Sequence, residues 1–168
     1  GHARQTQVRS FGNLAPSMKL PTCILRDYVS TELTAEQLGD LLTMAGFELE
    51  ELVEVEGEPV LDIKVMANRG DGLSALGLAR EVLAKDSQAK PTELYIRAAN
   101  RFPASDSGAS IRLSDGRSPA VEIGTEDCTR YACRVFEAVQ NGESPEWLQK
   151  RLRQAGQRPI SLLVDLTN

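Results

Sequence analysis

The sequence predicts an α+β fold on three observations: a helix with both ends marked, two consecutive stretches that alternate apolar and acidic residues, and a second marked helix near residue 150. The first helix lies in "TELTAEQLGDLLTMAGF". Thr34 and Gln37 form a capping-box pattern, Leu38, Leu41, Leu42 and Ala45 make the apolar stripe, and Gly46 supplies a left-handed stop, so a helix over about 35–45 is expected. "FELEELVEVEG" then alternates through Phe47, Leu49, Leu52, Val53 and Val55, and "PVLDIKVMA" through Leu61, Ile63 and Val65. This pattern predicts two paired strands turning at Gly57 to Pro59. "MKLPTCILRDYV" ahead of them reads as an extended or turn segment leading into a helix.

"ANRGDGLSALGLAREVLA" follows the second strand. Asp71 is the expected N-cap of a helix burying Leu73, Leu76, Ala79, Val82 and Leu83, and Gly70 and Gly72 suit a tight strand-to-helix turn that includes Asn68. An anion site on Asn68, Arg69 and the amides after Gly70 is the rival reading. The carboxylate of Asp71 repels phosphate, so the turn is read as structural, with Arg69 bridging to a carboxylate or carbonyl of a neighbouring unit.

From about 18 to 88 the chain reads as one small unit. Residues 89–118 mix Gly, Pro, Ser and Asp, with one strand around Leu94 to Ile96, and read as a linker. "PAVEIG" and "TRYACRVFEAV" read as strands of a second unit over 119–168. In "SPEWLQKRLRQAGQRPI", Ser144 is the expected N-cap, Pro145 the first helical residue and Gly156 the stop. Trp147 or Leu148, Leu152 and Ala155 form the buried edge, and Lys150, Arg151 and Arg153 the remaining surface. Ile160, Leu162, Leu163, Val164 and Leu166 make the last residues strongly apolar, as in an element of a larger core or a partner surface. Residues 1–17 lack periodicity and read as an expression remnant or a loose extension.

Composition narrows the chemistry. The net charge is −5, yet residues 31–62 hold ten carboxylates and no Lys or Arg, while Cys128 to Asn168 carries six basic residues against four acidic ones. Any contact with nucleic acid is therefore local, with Arg69, Lys150, Arg151, Arg153 and Arg158 as the candidates. No nucleophile has a neighbouring base, because the single histidine, His2, lies in the leading segment. Cys23, Cys128 and Cys133 lack metal-type spacing and read as reduced thiols of a cytoplasmic chain. Catalysis by this chain alone, a metal site, a cofactor and a membrane role are not expected.

Four pieces in order resemble the N-terminal part of the bacterial phenylalanyl-tRNA synthetase beta subunit: "MKLPTCILRDYV", "LGDLLTMAGFELEEL", "LDIKVMANRGDGLSALGLAREVLA" and "CTRYACRVFEAVQNGESPEWLQKRLRQAGQRPISLLVDLTN". The Asn-Arg-x-Asp-x-Leu turn and the Pro-Glu-Trp helix followed by Arg-Pro-Ile and Val-Asp-x-Thr-Asn carry most of that likeness. The family inserts an oligonucleotide-binding barrel of about a hundred residues between the second and third pieces, where this chain has only "VEVEGEP", and it has proline where this chain has Ala67.

The resemblance implies that residues 119–168 begin the editing, tRNA-binding domain. It also implies that the synthetase alpha subunit and the remainder of the beta subunit are partners, that tRNA lies nearby, and that ATP and magnesium serve only the whole ligase. In that setting Arg130 and Tyr131 could line an editing pocket, though a half-buried tyrosine is the plainer reading. Trp147 reads as a packing anchor, and Asp165 bonds locally or to Arg158. The rival functions are a free-standing nucleic-acid-binding module and a shortened trans-editing protein.

Overall fold

The computed structural model describes residues 17–100, 113–117, 122–128, 131 and 135–168. Of the strands expected over "PAVEIG" and "TRYACRVFEAV", residues 122–124, 131 and 135–139 are described and none of them lies in a strand; the remaining residues, Arg130 and Cys133 among them, fall outside the described ones. Helices and small antiparallel sheets combine in an α+β fold.

β1 (Ser17–Pro21) leads directly into the short helix α1 (Thr22–Arg26), and β2 (Val29–Ser30) follows. α2 (Ala35–Met44) starts at Thr34, whose hydroxyl accepts from the Gln37 amide at 3.3 Å while the Gln37 side chain accepts from the Thr34 amide at 2.9 Å. Two otherwise orphaned donors are thereby satisfied reciprocally. Gly46, at φ +93°, then turns the chain out of the helix.

β3 (Glu48–Val55) and β4 (Glu58–Lys64) pair antiparallel, and β1 adds to the other edge of β4, giving the order β1-β4-β3. The hairpin turns at Glu56 and Gly57, both at positive φ (52° and 78°), the mirror-type two-residue turn whose twist matches paired strands. This corrects the expected turn at Gly57 to Pro59. Pro59 lies within β4 opposite Glu54.

Alternation sends Leu61 and Ile63 to one face of the sheet with their partners Leu20, Leu49 and Leu52, and Val60 to the other. The first face packs under α1, α2 and α3 around Leu25, Val29, Leu38, Leu42, Phe47, Leu78 and Val82, all fully buried. Burying a side chain of this size contributes about 1.5–3 kcal/mol each.

α3 (Ala75–Lys85) departs from expectation at its start. Residues Gly70–Leu73 form one turn of 3-10 helix, and the N-cap is Ser74, whose extended backbone (φ −146°, ψ 146°) lets its hydroxyl accept from the Gly77 amide at 3.1 Å. Asp71 is therefore not the cap: its carboxylate is held by Arg69 instead. Ala79 and Val82 are enclosed as expected, joined by Leu78, and Leu83 packs on the core; Leu73, which lies in the 3-10 turn ahead of the helix, is exposed. Gly70 has no neighbour that a Cβ would touch, whereas Gly72 presses on the Phe47 ring. Of the two glycines in this turn, only Gly72 is demanded by packing.

The strand expected at Leu94 to Ile96 is instead helix α4 (Glu93–Ala99), capped by Thr92, whose hydroxyl accepts from the Tyr95 amide at 3.2 Å. Just before it β5 (Lys90–Pro91) pairs with β2. Thr92 also donates to the Asp27 carbonyl at 2.6 Å, which fixes α4 to the first unit.

α5 (Glu146–Gln154) and α6 (Leu162–Asp165) complete the described elements. Pro145, not Ser144, is the residue flanking α5, and the Ser144 hydroxyl, one residue too early, donates to Asp165 at 2.5 Å. A buried carboxylate is the stronger acceptor partner for that hydroxyl. Trp147, expected as a packing anchor, is 62% exposed; Leu152 is the buried apolar residue of α5. Tyr131, read as half-buried, is 60% exposed. No helix among the described residues is long and apolar enough to cross a membrane.

Candidate functional site

The cationic residues singled out by sequence fall in two places. Arg69 follows the turn Ala67–Asn68, which its own amide closes onto the Met66 carbonyl at 2.8 Å; Asn68 is exposed there. The Arg69 guanidinium forks onto both oxygens of Asp71 at 3.1 Å each, reaches Glu81 at 2.6 Å, and lies 4.5 Å above the centre of the Phe47 ring. Both carboxylates belong to the same unit as Arg69, not to a neighbouring one. The Arg69 hydrogen bonds hold the Asp71 carboxyl below the usual carboxylate range. With donors already taken by two carboxylates and one face covered by an aromatic ring, this arginine braces the β4–α3 connection.

The second group sits on α5. Arg151 forms an ion pair with Asp27, at the end of α1, and Arg153 forks onto Glu56 at 2.6 and 3.3 Å and onto Glu146 at 2.6 Å. Gln154, buried, donates to the Val55 carbonyl at 3.5 Å and accepts weakly from the Cys23 thiol at 3.9 Å. Burial, then the nearby Glu58 carboxylate, pushes the Cys23 thiol up. Its unreactive neutral form follows. The Arg153 hydrogen bond pulls Glu56 down, so both partners stay charged at neutral pH.

The basic face of α5 is thus turned partly onto the acidic first unit across sequence separations of 97 to 131 residues. Sequence reading placed all three cations on the open surface. Only Lys150 stays exposed there, and Arg158, just past the helix, is exposed as well. Neither takes part in an ion pair among the described residues.

Behind α5, Asp165 is enclosed (2% exposed) and accepts from the Ser144 hydroxyl and from the Ile160 amide at 2.8 Å. These hydrogen bonds hold its carboxyl low despite burial. The bond from Ile160 is local, that from Ser144 spans 21 residues, and neither involves Arg158. Asn141 closes the same bracket by accepting from the Leu163 amide at 3.2 Å. A cleft of about 560 Å³ opens between β1, the start of α3 and the end of α5, where Lys19 is the one charged side chain in the lining. No group of three or more His, Cys, Asp or Glu among the described residues could hold a metal ion.

Comparison with known proteins bears on this arrangement. Residues 127–168 match a family model described as the B3/4 domain. A phenylalanine–tRNA ligase beta subunit from Rhodopirellula baltica is 36% identical over 146 residues, 86% of this chain and 20% of the relative. These matches support the phenylalanine–tRNA ligase beta subunit family. Beta subunits of the same name from Rhodospirillum rubrum and Trichormus variabilis are 40% identical over 111 residues and 41% over 113, covering 66% and 65% of this chain and 13% and 12% of theirs. The chain spans a fifth or less of the length of these relatives. No solved structure matches it.

Proposed function

We propose that the chain is a non-catalytic structural segment of a phenylalanine–tRNA ligase beta subunit, working in ligation through the alpha–beta heterotetramer. The observation that carries this reading is the 36% identity running through 86% of the chain, across both the first unit and the stretch that matches the B3/4 domain. In this reading α5 holds the beginning of the editing domain onto the first unit. Ile160, Leu163, Val164 and Leu166, all substantially exposed, suit a larger core contributed by the rest of the beta subunit. tRNA lies alongside the exposed cations Lys150 and Arg158. ATP and magnesium belong to the whole ligase, and the working place is the cytoplasm.

Co-expression with the alpha subunit from the same source tests the reading. The chain should co-elute with it on size exclusion and show no aminoacylation by itself. Elution apart from the alpha subunit, or turnover of phenylalanine and ATP by the chain alone, would count against it.

A further inference from the structure

The first unit is acidic where α5 meets it, and the two carboxylates that α5 engages stand where phosphate oxygens would stand against arginine. We propose that Asp27 and Glu56 mask Arg151 and Arg153 from the RNA backbone, so that docking of α5 and binding of RNA phosphates by these two arginines exclude one another. The inference rests on the reading that this segment lies beside tRNA, and its test does not depend on the alpha subunit.

The geometry carries three parts of the argument. Arg153 meets Glu56 through Nε and Nη2, the fork that also suits two oxygens of one phosphate. Arg151 meets Asp27 through both terminal nitrogens in the same way. The guanidinium groups are not sealed in: the Arg151 and Arg153 side chains are 40% and 33% exposed, and their partners 33% and 38%. A competing anion can therefore reach them from solvent, and the carboxylates are what it must displace. Finally, the exposed Lys150 lies on the same helix between these arginines and Glu146, so an unmasked α5 would present, beside Lys150, Arg151 and the part of Arg153 that Glu146 does not engage.

Glu56 reaches Arg153 because the β3–β4 turn is only two residues long and holds Glu56 in the left-handed region. The mask is thus built into the shape of this hairpin as well as its charge.

The test is filter binding of unfractionated tRNA to the full chain at a series of salt concentrations, comparing wild type with Asp27→Asn/Glu56→Gln. Two exposed acids away from α5 serve as the charge control, Glu32→Gln/Asp40→Asn. The unmasked variant Asp27→Asn/Glu56→Gln should tighten binding on the order of tenfold at low salt and steepen the log–log salt slope by about 0.9 for each phosphate gained. The control should change affinity less than about twofold and leave the slope alone. Adding Arg151→Gln/Arg153→Gln to the unmasked chain should remove the gain. The single substitutions Asp27→Asn and Glu56→Gln, checked by circular dichroism, give the same comparison should the double variant unfold. Equal binding by the unmasked chain and the control, no binding by either, or a gain that survives loss of both arginines would overturn the proposal.

Discussion

Replacing Gly72 by alanine should destabilise the fold although this buried glycine has no left-handed backbone requirement. A Cβ there would lie 2.2 Å from Phe47 Cε1, 3.0 Å from Cδ1 and 3.1 Å from Cζ, where ordinary contact begins near 3.4 Å. The ring must retreat by about 1.2 Å, the difference between 3.4 and 2.2 Å. It has little room to do so: Phe47 is fully buried in the core, and the Arg69 guanidinium covers its face. Overpacking of this kind costs about 1–3 kcal/mol, partly offset by about 0.4–1 kcal/mol from the stiffer unfolded chain. With urea slopes of about 1–3 kcal/mol per molar for domains of this size, the midpoint should fall by roughly 1 M. Gly70→Ala is the internal control, because nothing lies within 4 Å of its Cβ. Urea titrations followed by circular dichroism compare the two. Equal midpoints for Gly72→Ala and Gly70→Ala would refute the argument that the Phe47 contact selects glycine.

Ser74→Ala should cost about 1 kcal/mol, the usual loss of a helix N-cap, and lower the thermal midpoint by a few degrees; Asp71→Ala should cost less, and the reverse order would restore Asp71 as the cap. Acid should unfold the protein through Glu56, Asp71 and Asp165, each held below its ordinary value by Arg153, Arg69 and Ser144 respectively. A depressed folded-state value means stability that is complete above the unfolded values of about 3.9–4.3 and is lost as pH falls through the folded ones. Thermal midpoints should therefore stay level from pH 7 to 5 and decline below about pH 4, less steeply in Glu56→Gln, and a decline already under way at pH 6 would contradict the assignment.

What could be read in the sequence is what is local. The Thr34–Gln37 box and Gly46 delimit α2 because each signal acts within one turn of the chain. The alternation from Phe47 to Val65 fixes which residues face the core, though not the turn, since Glu56 accepts a positive φ that favours glycine or asparagine. Asp71 has the chemistry of a cap but loses that role to Ser74 because Arg69, two residues away, claims its carboxylate. α4 was concealed by Tyr95 and Ile96, which favour strands by propensity; Thr92 ahead of them was the available sign of a helix start. Nothing local marks the pairing of Arg151 with Asp27, 124 residues away, or of Arg153 with Glu56, 97 away. An exposed face and a docked one have the same residue pattern until the partner surface is known. The same limit explains Trp147, whose size indicates a packing anchor and whose exposure comes only from the placement of α5.

The pairing of α5 with the hairpin turn is the contact on which the arrangement of the described elements turns, and charge exchange tests it most directly. Urea midpoints are measured for Glu56→Arg, Arg153→Glu and the two together. Each single reversal should lower the midpoint, by placing like charges side by side, and the exchanged pair should recover a large part of the loss. Losses that simply add in the exchanged pair would show that Glu56 and Arg153 do not meet in the folded protein.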